Sequence, residues 1–256
     1  MIQKINSLVE TLLKALTGPT VECVQRIPYH GGGMLSSPLF CLKLDVFYRD
    51  AIPAFPARLS GVPGAQLLET SLSRDKDRFF LQDMPVHLDY KLVPRVDEEL
   101  RALGQPSAPL RQDTTYGLFR LYHGIPVHSQ SPWIREVKAQ LENLPEGFWA
   151  FQRRNLGGRL EHQLSDMAAA HFNRDGLFFQ IALARFLETL TELLFNLNRQ
   201  FLCPPEELKF QLDGLEELPT GFTGYFDSLL REEAGFDRER RLALAKHLAE
   251  GVLALA

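Results

Sequence analysis

Apolar residues recur every three or four positions at Ile2, Ile5, Leu8, Val9, Leu12, Leu13 and Leu16, with Lys4, Glu10 and Lys14 between them. That spacing predicts an amphipathic helix, stopped by Thr17-Gly18-Pro19. The period then shortens to two. Residues 21–27 and 39–48 predict strands, separated by a glycine-rich turn over 28–33. In the second strand Leu42, Leu44 and Val46 point one way and Lys43, Asp45 and Phe47 the other. Pro53, Pro56 and Pro63 make 51–64 a loop, and 66–72 with 78–81 predict a hairpin across the charged run Ser73 to Asp77. Residues 84–92 predict a further strand, Val86, Leu88 and Tyr90 opposing His87, Asp89 and Lys91.

After Val96 the pattern turns helical, apart from a short strand expected at 118–121. Ser131-Pro132 is a helix start, with serine as cap and proline in the first turn. Helices are predicted to about residue 144, then over 146–172, 177–201, 222–233 and 238–255, with a short one opened by Pro204-Pro205. Gly157-Gly158 inside the second costs about 1 kcal/mol per glycine and marks an expected kink or break. The reading is an α/β (α+β) domain over 1–128, a small mixed sheet with helices on one side, followed by an all-α helical bundle over 129–256.

Residues 1–128 hold 14 basic and 13 acidic side chains and the remainder 14 and 19, so neither half is a basic surface for nucleic acid and none is expected as partner. Cys23, Cys41 and Cys203 are odd in number and widely spaced, which fits a reducing compartment and burial as small apolar groups. Arg185, Glu188 and Glu192 interrupt the most apolar window, 177–201, and argue against a membrane span. A cytoplasmic protein, with room for a protein partner or homo-oligomer, is the expectation.

The chemistry centres on Gly31-Gly32-Gly33, followed after eleven residues by Asp45. This layout resembles the polymerase-β-like nucleotidyltransferase superfamily, in which glycines end a first strand and an Asp-x-Asp lies on the next. Val86-His87-Leu88-Asp89-Tyr90 resembles that family's third carboxylate strand, and Leu194 to Arg199 the helical half of its two-domain bacterial members. The resemblance implies Mg2+ held by Asp45 and Asp89, with His87 as a further ligand, and a nucleoside triphosphate seated on Gly32, Gly33 and Ser36. It implies transfer of a nucleoside monophosphate to a small-molecule or protein hydroxyl, with Tyr116, Arg120, Tyr122 and Arg154 lining the acceptor cleft. The acid motif is incomplete: Phe47 replaces the second acid or Lys43 the first. The alternative is a catalytically degenerate relative acting as a nucleotide- or protein-binding module.

A plainer reading pairs Asp45 and Asp89 with Lys43 and Lys91 as strand salt bridges. His30 with the three glycines also matches an oxyanion-hole motif, but no G-x-S-x-G supplies a nucleophile. Arg241 with His247 suggests a ribonuclease pair, and His162 with Asp166 or His171 with Asp175 suggests ligand pairs at helical spacing.

Overall fold

A computed structural model describes residues 2–29, 40–54, 57–70, 75–104, 114–231 and 237–256, without the side chains of 68–70. The chain divides into two units, one of residues 1–104 and 117–144, the other of 105–116 and 145–256. The 128/129 division drawn from the sequence passes through the last strand of the first unit.

That first unit is built on α1 (Ile2–Leu16), β1 (Val21–Arg26), β2 (Leu42–Tyr48), β3 (Gln66–Thr70), β4 (Lys76–Leu81), β5 (Met84–Leu92), α2 (Val93–Leu103), α3 (Tyr116–His123, its first residue in the other unit), β6 (Ile125–Ser129) and α4 (Trp133–Glu142). The strands form one mixed sheet in the order β3-β4-β5-β2-β1-β6. Among the described residues only β2 and β5 run parallel; the other pairs are antiparallel. Period-two alternation sends Leu42, Leu44, Val46, Val86, Leu88 and Tyr90 into one core with Ile5, Leu8 and Leu12 of α1. Each such aliphatic side chain contributes about 1.5–3 kcal/mol on burial. Gln82 and Asp83, both at positive φ, close the tight β4–β5 hairpin.

Two sequence expectations fail here. Residues 118–121 lie in helix α3, and a strand that alternation did not reveal follows at 125–129. β6 is an edge strand with exposed and half-exposed positions throughout, so no apolar period marks it, and its Pro126 is tolerated at an edge.

The second unit contains α5 (Glu146–Phe172), α6 (Gly176–Leu197), α7 (Leu208–Leu212), α8 (Phe222–Leu230) and α9 (Arg238–Leu253). Gly157-Gly158 does not break α5. A Cβ at Gly157 would meet Leu253 Cδ2 at 3.4 Å, so this glycine sits in the α5–α9 contact. Helix α6 is capped by the Asp175 carboxylate, which accepts from the Phe178 amide at 2.9 Å. It ends four residues earlier than the pattern suggested, because Asn198 turns its amide back to the Leu194 carbonyl and across to Glu217, and Arg199 takes the left-handed conformation.

Candidate functional site

Strand pairing lays a polar grid on the sheet face opposite α1. Gln25 of β1, Asp45 of β2, Asp89 of β5 and Lys76 of β4 are successive cross-strand partners. Two residues along, Lys43, His87 and Arg78 form a second row. Asp45 and Asp89 therefore project from neighbouring strands to the same side, as the sequence resemblance implied.

Helix α3 brings Arg120 over this grid. The carboxylate of Asp45, fully buried, accepts from Arg120 Nε at 3.2 Å, from Arg120 Nη2, and from Lys91 Nζ at 2.8 Å. The same guanidinium reaches Asp89 Oδ2 through Nη1 at 2.5 Å. One arginine thus bridges both acids. Burial by itself would raise the Asp45 carboxyl, but Arg120 and Lys91 outweigh it and hold the group below the usual carboxylate range.

The position of Arg120 is set by the end of its helix. Gln25 Nε2 donates to the carbonyls of Leu121 at 3.3 Å and Gly124 at 3.2 Å, and Lys138 Nζ donates to Gly124 at 2.6 Å. A Cβ on Gly124 would stand 2.6 Å from the Arg120 carbonyl oxygen and 2.9 Å from Gln25 Cδ. Only glycine fits this approach without displacing backbone.

Beside the bridged acids lies a cavity of about 300 Å³ bordered by Lys43, Lys76, Arg78, Arg120, His87 and Asp89 on the grid face. Asp77 and Leu88 also border it, but Asp77 turns to the other side, where Arg58 grips it through Nε at 2.6 Å and Nη2 at 2.7 Å and Tyr90 donates at 2.8 Å. Four cations therefore face one carboxylate across this opening. The same field acts on His87: burial first, then Arg78 and Lys43, lower its pKa from the ordinary value, leaving the imidazole neutral near pH 7.

Both oxygens of Asp45 and one of Asp89 are engaged by cations, and among the described residues no three His, Cys, Asp or Glu side chains cluster as a metal site. Magnesium requires oxygen ligands in near-octahedral array. This donor set, with a guanidinium between its two acids, does not fit that ion. Gly32, Gly33 and Ser36, expected to seat phosphates, lie outside the described residues, as do His30 and Gly31.

Several of the other candidates are engaged locally. His162 and Asp166 make an exposed contact at 3.8 Å, and Asp175 caps α6. Arg241 donates to the Arg231 carbonyl at 3.1 Å, while the His247 ring meets Tyr225 edge-on at 4.2 Å. All three cysteines are buried, and burial pushes Cys23 and Cys203 up to about 12 and Cys41 to about 11, which removes a thiolate nucleophile at neutral pH. Sequence reasoning placed Arg78 in a strand but gave neither it nor Lys76 a place in the site. The alternation Lys76-Asp77-Arg78-Phe79 would have put both on one face, but the charged run concealed the first two residues of β4.

No protein-family model matches this sequence, and no curated protein matches it. Among solved structures, the chain is similar to a nucleotidyltransferase-like protein from Exiguobacterium sibiricum, at 14% identity over 98% of this chain and 74% of that one, with a TM-score of 0.49.

Proposed function

We propose that this protein is a catalytically degenerate nucleotidyltransferase-like module that binds the phosphates of a nucleotide through its own cations, without a bridging metal. The observation that carries the reading is Arg120, whose guanidinium stands between Asp45 and Asp89, where the sequence resemblance would place a divalent ion. Arg120 and Lys91 together balance the two acids, and Lys43, Lys76 and Arg78 border the cavity beside them. Phosphate oxygens are strong acceptors for such charge-assisted hydrogen bonds, and arginine can contact them in two-point fashion. Asp45 is then a structural counter-ion that holds Arg120, and the site binds without transferring.

The competing reading, transfer of a nucleoside monophosphate to a hydroxyl, draws on the convergence of Asp45 and Asp89. It requires Arg120 to withdraw from both before a metal could enter, and Phe47 and Lys43 leave its acid set incomplete. Calorimetric titration with ATP and with inorganic triphosphate tests the proposal. Arg78→Ala and Lys43→Ala are each expected to weaken binding about tenfold, the equivalent of about 1.4 kcal/mol. Affinities unchanged in both variants would remove the site from consideration.

A further inference from the structure

Of the two acids that Arg120 bridges, only Asp89 borders the cavity. Asp45 is fully buried and both its oxygens accept from cations. Asp89 differs. Its side chain is 27% exposed, its Oδ2 faces Arg120 Nη1 at 2.5 Å, and among the described residues nothing donates to its Oδ1. An acceptor is thus left at the edge of an opening that Lys43, Lys76, Arg78 and Arg120 line with positive charge.

These two features make opposite demands on an anion. The cations attract any oxyanion, whereas a carboxylate only accepts hydrogen bonds and repels an oxygen that carries no hydrogen. Both demands are met by an anion with one hydroxyl: its bare oxygens turn to the lysines and arginines, and its O–H donates to Asp89 Oδ1. A terminal phosphate has such a state within reach at neutral pH, because its second ionisation has a pKa of about 6. Sulfate has none, and neither does a phosphodiester, which keeps no second ionisable oxygen.

Resting on the phosphate-binding reading above, we propose that Asp89 sets the ligand class of this site: it accepts a hydrogen bond from a singly protonated terminal phosphate and thereby discriminates against sulfate and phosphodiesters. The site then takes the end of a nucleotide's phosphate chain and refuses the backbone of a nucleic acid.

Calorimetric titration of the full chain with sodium phosphate and with sodium sulfate, at matched ionic strength, tests this. At about pH 8 both ions are chiefly tetrahedral dianions, and only phosphate carries a hydrogen. Phosphate is expected to bind about tenfold more tightly than sulfate, a ratio that one hydrogen bond to a charged group can supply. Asp89→Asn offers a donor in its amide, so sulfate binding is expected to rise and the ratio to fall to about one. Asp45 still holds Arg120 in this variant, and an unchanged circular dichroism spectrum verifies the fold. Lys76→Ala removes charge alone and is expected to weaken both ions alike, leaving the ratio as it was. Equal affinities for the two ions in the unaltered protein overturn the inference while the phosphate site stands. So does a preference that persists in Asp89→Asn, which would give the accepting role to a neighbour such as His87. Binding of inorganic triphosphate but of neither single ion also overturns it, since no one phosphate group would then be seated beside Asp89. Binding of none of the three removes the site itself.

Discussion

Arg120 and Asp45, 75 positions apart in the chain, meet in a buried two-point ion pair whose other side is closed by Lys91. A buried charge is tolerated only when paired and hydrogen-bonded, so the arrangement makes each group depend on the others. It also fixes what Asp45 can do, since a carboxylate with both oxygens committed to cations is not an open ligand.

The stability of the protein should therefore depend on Asp45. Asp45→Asn leaves Arg120 and Lys91 without their shared anion and is expected to cost about 3 kcal/mol in urea denaturation at pH 7. An acid held only for a ligand would give a neutral or stabilising substitution. The pH dependence has a definite sign. The Asp45 pKa is depressed in the folded state, so its contribution is present above about pH 4 and is lost as pH falls through the folded value. Acid unfolding of Asp45→Asn should lack that component.

His87 reports on the cavity. Burial, Arg78 and Lys43 lower its pKa, and a bound phosphate would offset the two cations. Its imidazole C–H resonance, followed by NMR against pH, should titrate below 6.5 in the free protein and at higher pH with inorganic triphosphate present. By linkage, triphosphate affinity should rise as pH falls through this range. An unmoved titration would place the anion elsewhere.

Gly124→Ala should act at a distance. The added methyl meets the Arg120 carbonyl and the Gln25 amide, so α3 must shift at its end. Overpacking of this kind costs about 1–3 kcal/mol, read as a lower midpoint of thermal unfolding. Because Arg120 moves with its helix, triphosphate binding should weaken as well. Gly158→Ala, with open space around its Cβ position, is the control and should be neutral or slightly stabilising.

The convergence of Asp45 and Asp89 was legible in the sequence because both lie in strands with clean alternation, and a face assignment follows directly from that period. Pairing between β2 and β5, which makes the two acids direct neighbours, is set by the sheet topology and is not contained in that period. Arg120 was legible only as a general lining residue. Its partners are set by α3, and the helix was mistaken for a strand because Leu118 to Leu121 is short and apolar enough to suit either. Gly124, the residue that ends α3 and admits Gln25, carries no sequence signal that separates it from an ordinary turn glycine. Lys76 was hidden for another reason: it lies in a charged run that reads as solvated loop, which concealed the first two residues of β4 and with them the face that Lys76 shares with Arg78. Gly157 shows the opposite error, a residue costly to an isolated helix but accommodated where α5 meets α9.

In the proposed binding mode, protein cations, with Arg120 fixed between Asp45 and Asp89, take the place of a metal. Titration of ATP in EDTA, and again in excess Mg2+, measures this most directly. The expected result is binding in EDTA that magnesium does not strengthen and that Arg78→Ala weakens. Binding that appears only with Mg2+ and vanishes in Asp45→Asn would contradict it.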